Sequence, residues 1–230
     1  IPLKGAEKKG ILWGWDFLKE VKLGKALKMR GDVIVVGGGN VAIDVALTAK
    51  RLGAKKVYLF CLEKRAERPA HEGEISLAEQ EGVLINNSWA PKKVLGDASV
   101  SGLQVMKCTS VFDGDRKFNP TYDEKTTKKI EGKTVILAVG QTAELGYVSE
   151  HRGIQVQSGR IEANQNTLST GEKGVFAGGD VVSGPASIIQ AIAQGRKAAA
   201  AMDRYLGGDG NIEEILAKPE KEVRLPEFSG

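Results

Sequence analysis

Four consecutive apolar residues, Val33 to Val36, run into three glycines, and after Asn40 the apolar positions recur at helical spacing as far as Gly53. The first run is too short for a helix and is rich in β-branched residues, so it predicts a strand. The glycines predict a tight turn, and the amphipathic run predicts a helix that starts at the turn. A second apolar run, Val57 to Leu62, predicts another strand. Together they make a β-α-β unit of about thirty residues.

The rest of the chain reads by the same periods. Trp13 to Val21 has apolar residues at helical spacing and Gly24 stops it. Glu63 to His71 is a charged loop, Glu74 to Glu81 a short helix, Val83 to Ile85 a strand and Trp89 to Val94 an extended connector. From Ser101 to Val135 apolar and polar positions alternate around a turn at Asp113-Gly114-Asp115, which predicts an antiparallel meander. Thr134 to Gly140 reads as the next parallel strand, Gly153 to Ile161 as a hairpin and Gly174 to Ala177 as a buried strand. Ala186 to Tyr205 reads as a long Ala-rich helix, and the charged tail from Gly207 to Gly230 as peripheral.

The first turn carries candidate chemistry. Gly37, Gly39 and Ala42 match the spacing G-x-G-x-x-G/A of dinucleotide-binding units. Gly37 takes a turn geometry that a Cβ forbids. Gly39 lets the backbone approach a pyrophosphate, and Ala42 lets the helix pack close to its strand. The helix N-terminus, from Gly38 through Asn40 and Val41, offers N–H groups and a partial positive charge to phosphates. The same order also occurs in crossovers that bind nothing, so the motif stands on its strand–turn–helix context.

Composition narrows the classes. The chain has 230 residues, 41% hydrophobic and 27% charged, a globular balance. No run approaches the length of a membrane-spanning helix, and the start Ile1-Pro2-Leu3-Lys4-Gly5 lacks both an initiator Met and an apolar leader. The expectation is a fragment or excised domain, cytoplasmic and away from membranes. The net charge of +4 is spread along the chain, which argues against a nucleic-acid footprint. Cys61 and Cys108 form no C-x-x-C pair, and no metal-ligand set is apparent. His71 and His151, the two histidines, have no matching nucleophile in sequence, although the His71 loop could cover a nicotinamide. Trp13, Trp15 and Trp89 are expected to pack rather than to stack on a ligand.

Three stretches resemble the pyridine-nucleotide:flavin oxidoreductases that have two dinucleotide-binding domains, in particular the glutamate synthase small-subunit branch. They are Val33 to Asp44, Val135 to Gln141, and Gly174 to Asp180 followed by Gly184 to Arg196. The resemblance spans nearly the whole chain. It implies an α/β fold: a Rossmann-like NAD(P)-binding domain with a β-meander, plus the C-terminal half of an FAD-binding domain. Residues 1–30 are then a leading segment with a linker helix, 31–140 the NAD(P)-binding domain, 141–206 the second FAD half and 207–230 a tail.

The resemblance also implies site roles. Asp180, after Gly179, would bond the ribityl chain of FAD. Pro185, Ala186 and Ser187 would set the helix N-terminus beside the flavin. Gly140 and Gln141 would join the cofactor contacts, and Asn40 and Asp44, one helical turn apart, would help seat the dinucleotide. For Asp180 a plain turn or helix cap, and for Asp44 a plain exposed helix carboxylate, are the competing readings. The Gly-rich unit that holds the ADP half of FAD in such proteins does not precede Gly37, so an N-terminal FAD half is missing. Electrons would pass to an iron–sulfur or other acceptor subunit.

Two departures from that pattern matter. Where paired arginines often meet the 2′-phosphate of NADP, this chain has Leu62-Glu63-Lys64-Arg65. Glu63 lies 21 residues after Ala42, near the spacing of the acid that bonds a ribose 2′-OH, so NAD(H) is favoured over NADP(H). Lys64 and Arg65 could still meet a 2′-phosphate, or all three could form a solvated loop. Leu47 replaces an arginine frequent in the branch. The expected activity is hydride transfer from NAD(P)H to FAD, with no catalytic side chain in the chain itself. The competing reading is a non-catalytic dinucleotide-binding or interaction module.

Overall fold

The computed structural model describes residues 3–25, 28–140, 142–148 and 153–212. The chain divides into two compact units, 1–140 and 141–230.

The first unit is built on a five-stranded parallel sheet, in the order β1-β8-β2-β3-β4. Its strands are β1 (Ile11–Trp13), β2 (Val33–Val36), β3 (Val57–Cys61), β4 (Val83–Asn87) and β8 (Thr134–Leu137). The continuous apolar run of β2 follows from burial on both faces. Val33 and Val35 pack with helices α1 (Gly14–Lys22), α2 (Asn40–Arg51) and α3 (Glu72–Gln80). Ile34 and Val36 pack on the other side with Leu103, Val105 and Trp89. That opposite layer is an antiparallel sheet of β5 (Trp89–Leu95), β6 (Gly102–Phe112) and β7 (Phe118–Glu131). The meander is therefore a third layer of the unit.

Several sequence expectations change here. The helix read from Trp13 begins at Gly14, and the residues before it form edge strand β1. Three residues give too short a pattern to show a period, and only pairing with β8 makes them a strand. The connector from Trp89 is strand β5, paired with β6. Trp13 and Trp15 do not pack; they are 53% and 59% exposed. Trp89 is buried, with the Lys128 and Lys107 ammonium groups 4.3 and 5.3 Å from its ring centre.

In the second unit β9 (Val156–Gln157) and β10 (Arg160–Ile161) make the expected hairpin. They are followed by α4 (Asp180–Ser183) and α5 (Ile188–Tyr205). The stretch from Gly174 is not a buried strand. Among the described residues it makes one isolated bridge, Ser169 with Phe176, and Val175 to Ala177 are half-buried. An apolar run becomes a buried strand only where neighbouring strands flank it. Along α5 only Ala201 is buried, while Ile188, Ile189 and Ile192 are 80%, 79% and 60% exposed. Among the described residues no helix is long and apolar enough to cross a membrane.

Candidate functional site

The glycine turn sits at the carboxyl end of β2, where the chain leaves for β3 on one side and β8 lies on the other. This is the switch point at which ligands bind to open parallel sheets. The three glycines do different work. Gly37 has φ of 149°, and a Cβ there would collide with the Ala138 carbonyl oxygen. A Cβ on Gly38 would press on the Glu63 carboxylate, whose Cδ would be 3.0 Å away. A Cβ on Gly39 would meet nothing within 4 Å. Gly39 is the N-cap of α2 in ordinary extended backbone, φ −90° and ψ 177°. Space and conformation there would both admit a side chain, so the fold does not demand glycine at this position.

The start of α2 is bare. No side chain caps it, and its first turn contains no acidic residue. The N–H groups of Asn40 and Val41 lack acceptors within the helix, and no acid of its own first turn offsets the positive end of its dipole. The open space at Gly39 and the N–H groups beside it are the features that could receive a pyrophosphate.

Glu63 lies beside the glycine turn, against Gly38. Its Oε2 is buried and, among the described residues, has no hydrogen-bond partner. Lying against Gly38, it matches the position of a carboxylate that accepts from a ribose hydroxyl. Lys64 and Arg65 are engaged elsewhere: Lys64 Nζ lies 3.9 Å from Glu67 and Arg65 Nη2 3.5 Å from Glu79. Arg68, not singled out in the sequence, donates through Nε to the Arg65 carbonyl at 3.3 Å, while its Nη1 and Nη2 are buried without partners among the described residues. Nothing in a one-dimensional charge pattern separates Arg68 from its neighbours.

Asn40 meets the loop before α3, and Asp44 is an exposed helix carboxylate, one of the two readings open for it. The Asn40 Oδ1 accepts from the His71 backbone N–H at 2.9 Å, across 31 residues. Asp44 is solvent-exposed, and its carboxyl is raised above 3.8 by partial burial and then by the charge of Glu74. Glu74 Oε2 is itself buried without a partner among the described residues. His71 is the N-cap of α3. Gly140, with φ of 102°, follows β8, and Gln141 lies outside the described residues.

The thiols offer no nucleophile. Cys61 is buried and pushed up to about 12 by burial and then by Glu63; Cys108 is also buried and raised, again chiefly by burial. Neither is a thiolate near neutrality. Among the described residues no group of acidic, His and Cys side chains is placed to hold a metal.

In the second unit Gly179 has φ 75° and ψ −157°, a conformation open to glycine, and caps α4 at Asp180. The Gly179 N–H donates to Gln194 Oε1 at 2.6 Å, so α5 fixes this turn. Asp180 is exposed at the start of α4. Pro185 has no N–H to offer. The Ser187 N–H donates to Gln190 Oε1 at 3.0 Å, and Ser187 Oγ accepts from the Gln190 N–H at 3.3 Å. The α5 terminus is therefore capped by its own side chains, which occupy the Ser187 N–H and leave the first-turn N–H groups of Ile188 and Ile189 without acceptors within the helix. A cavity of about 870 Å³ opens in this unit, lined by Arg160, Ile161, Glu162, Gln194 and Lys197 among others.

Residues 1–195 match the pyridine nucleotide-disulphide oxidoreductase family. The chain is 37% identical over 202 residues to the NADP(+)-dependent formate dehydrogenase subunit beta of Moorella thermoacetica, covering 86% of this chain and 28% of that protein. It is 31% identical over 176 residues to the glutamate synthase [NADPH] small chain of Azospirillum brasilense, covering 75% and 36%. To the NAD-dependent dihydropyrimidine dehydrogenase subunit PreT of Escherichia coli it is 30% identical over 204 residues, covering 84% and 42%. The chain thus spans less than half the length of these relatives. In fold it is similar to the thioredoxin reductase of T. acidophilum, with a TM-score of 0.68 at 21% identity, covering 89% of this chain and 60% of that one. It is also similar to the FprA oxidoreductase of Mycobacterium tuberculosis, with a TM-score of 0.71 at 14% identity, covering 90% and 61%.

Proposed function

The chain belongs to the pyridine nucleotide-disulphide oxidoreductase family, and we propose that it is part of an NAD(P)H-dependent flavin oxidoreductase. Its first unit would hold the nicotinamide dinucleotide and its second unit one end of FAD. The observation that carries this reading is the open glycine ledge at Gly39 over the bare start of α2. Backbone N–H groups from Gly38 to Val41 hold the pyrophosphate there. Glu63 accepts from the ribose 2′-OH, which favours NAD(H); Lys64 and Arg65, engaged with Glu67 and Glu79, are secondary candidates for a 2′-phosphate.

When bound, the two cofactors supply hydride transfer from nicotinamide to flavin. The side chains contribute position and charge, and none is needed as acid or base. Asp180 holds the ribityl hydroxyls, and Gly179, fixed by Gln194, sets its direction. Pro185, Ala186 and Ser187 shape the approach to α5. The remaining FAD half and the electron acceptor lie outside these 230 residues. The apolar side chains that α5 leaves exposed support such a covering half. A cytoplasmic location suits two unpaired thiols.

Calorimetric titration with NADH tests the first unit. Wild type binds, and Gly39→Val abolishes binding while the circular dichroism stays native; equal binding by the variant overturns the site. For the second unit, the chain alone purifies colourless, and adding a fragment with the other FAD half restores colour and NAD(P)H-dependent dye reduction. Stoichiometric flavin in the chain alone contradicts a shared FAD site. Dinucleotide binding without dye reduction in the completed assembly would instead favour a non-catalytic module.

A further inference from the structure

The loop that carries Glu63, Lys64, Arg65 and Arg68 is tied down at both ends. At its start the Glu63 carbonyl accepts from the Ser88 N–H at 3.0 Å. At its end the His71 N–H donates to the Asn40 side chain at 2.9 Å. Asn40 is the first residue of α2, so the second tie runs from the loop to the helix terminus of the glycine turn itself.

We infer that Asn40 is a positioning residue, clasping the β3–α3 loop to the glycine turn and thereby setting the preference between NAD(H) and NADP(H). This rests on the dinucleotide reading above. The seam between α2 and α3 shows why a clasp matters. At its far end Arg51, the last residue of α2, pairs with Glu81, the C-cap of α3. In the middle the Asp44 and Glu74 carboxylates repel. At the near end the Asn40–His71 bond opposes that repulsion where the loop meets the site. Releasing it lets the loop charges drift while the backbone donors to the pyrophosphate stay in place. Discrimination at the ribose is then lost before affinity is.

Two substitutions break the same bond from opposite sides. Asn40→Ala removes the acceptor. His71→Pro removes the donor, and the native φ of −65° suits proline. Asn40→Asp keeps an acceptor. Affinities for NADH and NADPH would be measured in all three, with amide hydrogen exchange over residues 64–71 in the ligand-free chain. The expected result is a fall of threefold or more in the NADH-to-NADPH affinity ratio for both Asn40→Ala and His71→Pro, with faster exchange in Asn40→Ala. Asn40→Asp keeps the ratio, although its charge weakens both ligands. If Asn40→Ala weakens both dinucleotides equally and His71→Pro changes neither, Asn40 touches the ligand and the inference is overturned. Unchanged exchange in Asn40→Ala overturns it too. Failure of wild type to bind either dinucleotide overturns the reading beneath it, and the exchange data tell that apart from failure of the clasp.

Discussion

Two helices of this chain begin after small residues, and they begin in opposite ways. The N-terminus of α2 is bare: Gly39 has no side chain to cap it and its first turn has no acid. The N-terminus of α5 is capped by Ser187 and Gln190, which satisfy each other's N–H groups. Burial runs the other way. α2 buries Ala42, Ile43, Val45, Ala46, Leu47 and Ala49; α5 buries Ala201 alone. A helix held by packing does not need its cap, and its terminus is free to serve a ligand. A helix with little to pack against depends more on local devices, since tertiary packing supplies most helical stability.

The largest expected effect comes from giving α2 the cap it lacks. In Gly39→Asp the carboxylate reaches its own helix N–H groups and occupies the phosphate position. Dinucleotide affinity should fall by about a hundredfold or more, which is about 3 kcal/mol. Stability should rise by about 0.5 kcal/mol, because the carboxylate improves both cap and dipole. Calorimetry and a urea titration of the same sample check both signs. Loss of binding together with loss of stability would mean that the substitution merely damages the turn.

A smaller effect is expected at Glu63. Replacing its carboxylate with a guanidinium in Glu63→Arg removes the acceptor for a ribose hydroxyl and offers a fork to a 2′-phosphate. The preference should move towards NADPH by about tenfold or more, a like-charge conflict of ~1–3 kcal/mol being relieved. A wild type that already prefers NADPH tenfold would transfer the reading role to Lys64, Arg65 or Arg68.

The contrast between the helices explains what was legible in the sequence. Val33–Val36, the glycines and α2 were legible because local signals and burial agree there. Edge strand β1 was not, because Ile11–Trp13 becomes a strand only through pairing with β8, 124 positions further along in register. The stretch from Gly174 resembles a strand, but the described residues offer it a single bridge. At the candidate site, Gly39 and Glu63 were singled out by spacing. The clasp from Asn40 to His71 was not, because a side chain bonding a backbone 31 residues away leaves no period to read. The capping of α5 by Ser187 was legible in Gln190 three residues on, a capping-box spacing that the reading of Ser187 beside the flavin passed over.

Ser187→Ala tests the other side of the comparison. It removes the cap on which α5 relies, and its cost should be about 1 kcal/mol. Helicity would be followed by circular dichroism on heating, with fluorescence of the Trp residues, all three in the first unit, as the internal reference. The expected outcome is earlier loss of helicity with unchanged NADH affinity. If α5 is indifferent to Ser187, its order comes from contacts rather than from its terminus, and the contrast with α2 fails.

The smallest expected effect lies on α2 itself, at Asp44. Its carboxyl is raised above the ordinary 3.8 by partial burial, then by Glu74, against a lowering from Arg51. A carboxyl raised in the folded chain binds its proton more tightly there than in the unfolded one. The fold is therefore favoured at low pH, and that contribution is lost as pH rises from 3.8 through the raised value. At neutral pH the charged Asp44 is a liability of a few tenths of a kcal/mol, about 0.3–0.5, kept small because the side chain is largely in solvent. Asp44→Asn should raise stability by about that amount at pH 7 and by little near pH 3, below the ordinary 3.8 from which the Asp44 carboxyl is raised. Urea midpoints at several pH values separate this from a change in helix propensity, which would shift the midpoint equally throughout. A loss of stability at pH 7 would instead show that attraction to Arg51 outweighs repulsion from Glu74. The seam between α2 and α3 would then be held along its length, and Asn40 would have no repulsion to oppose.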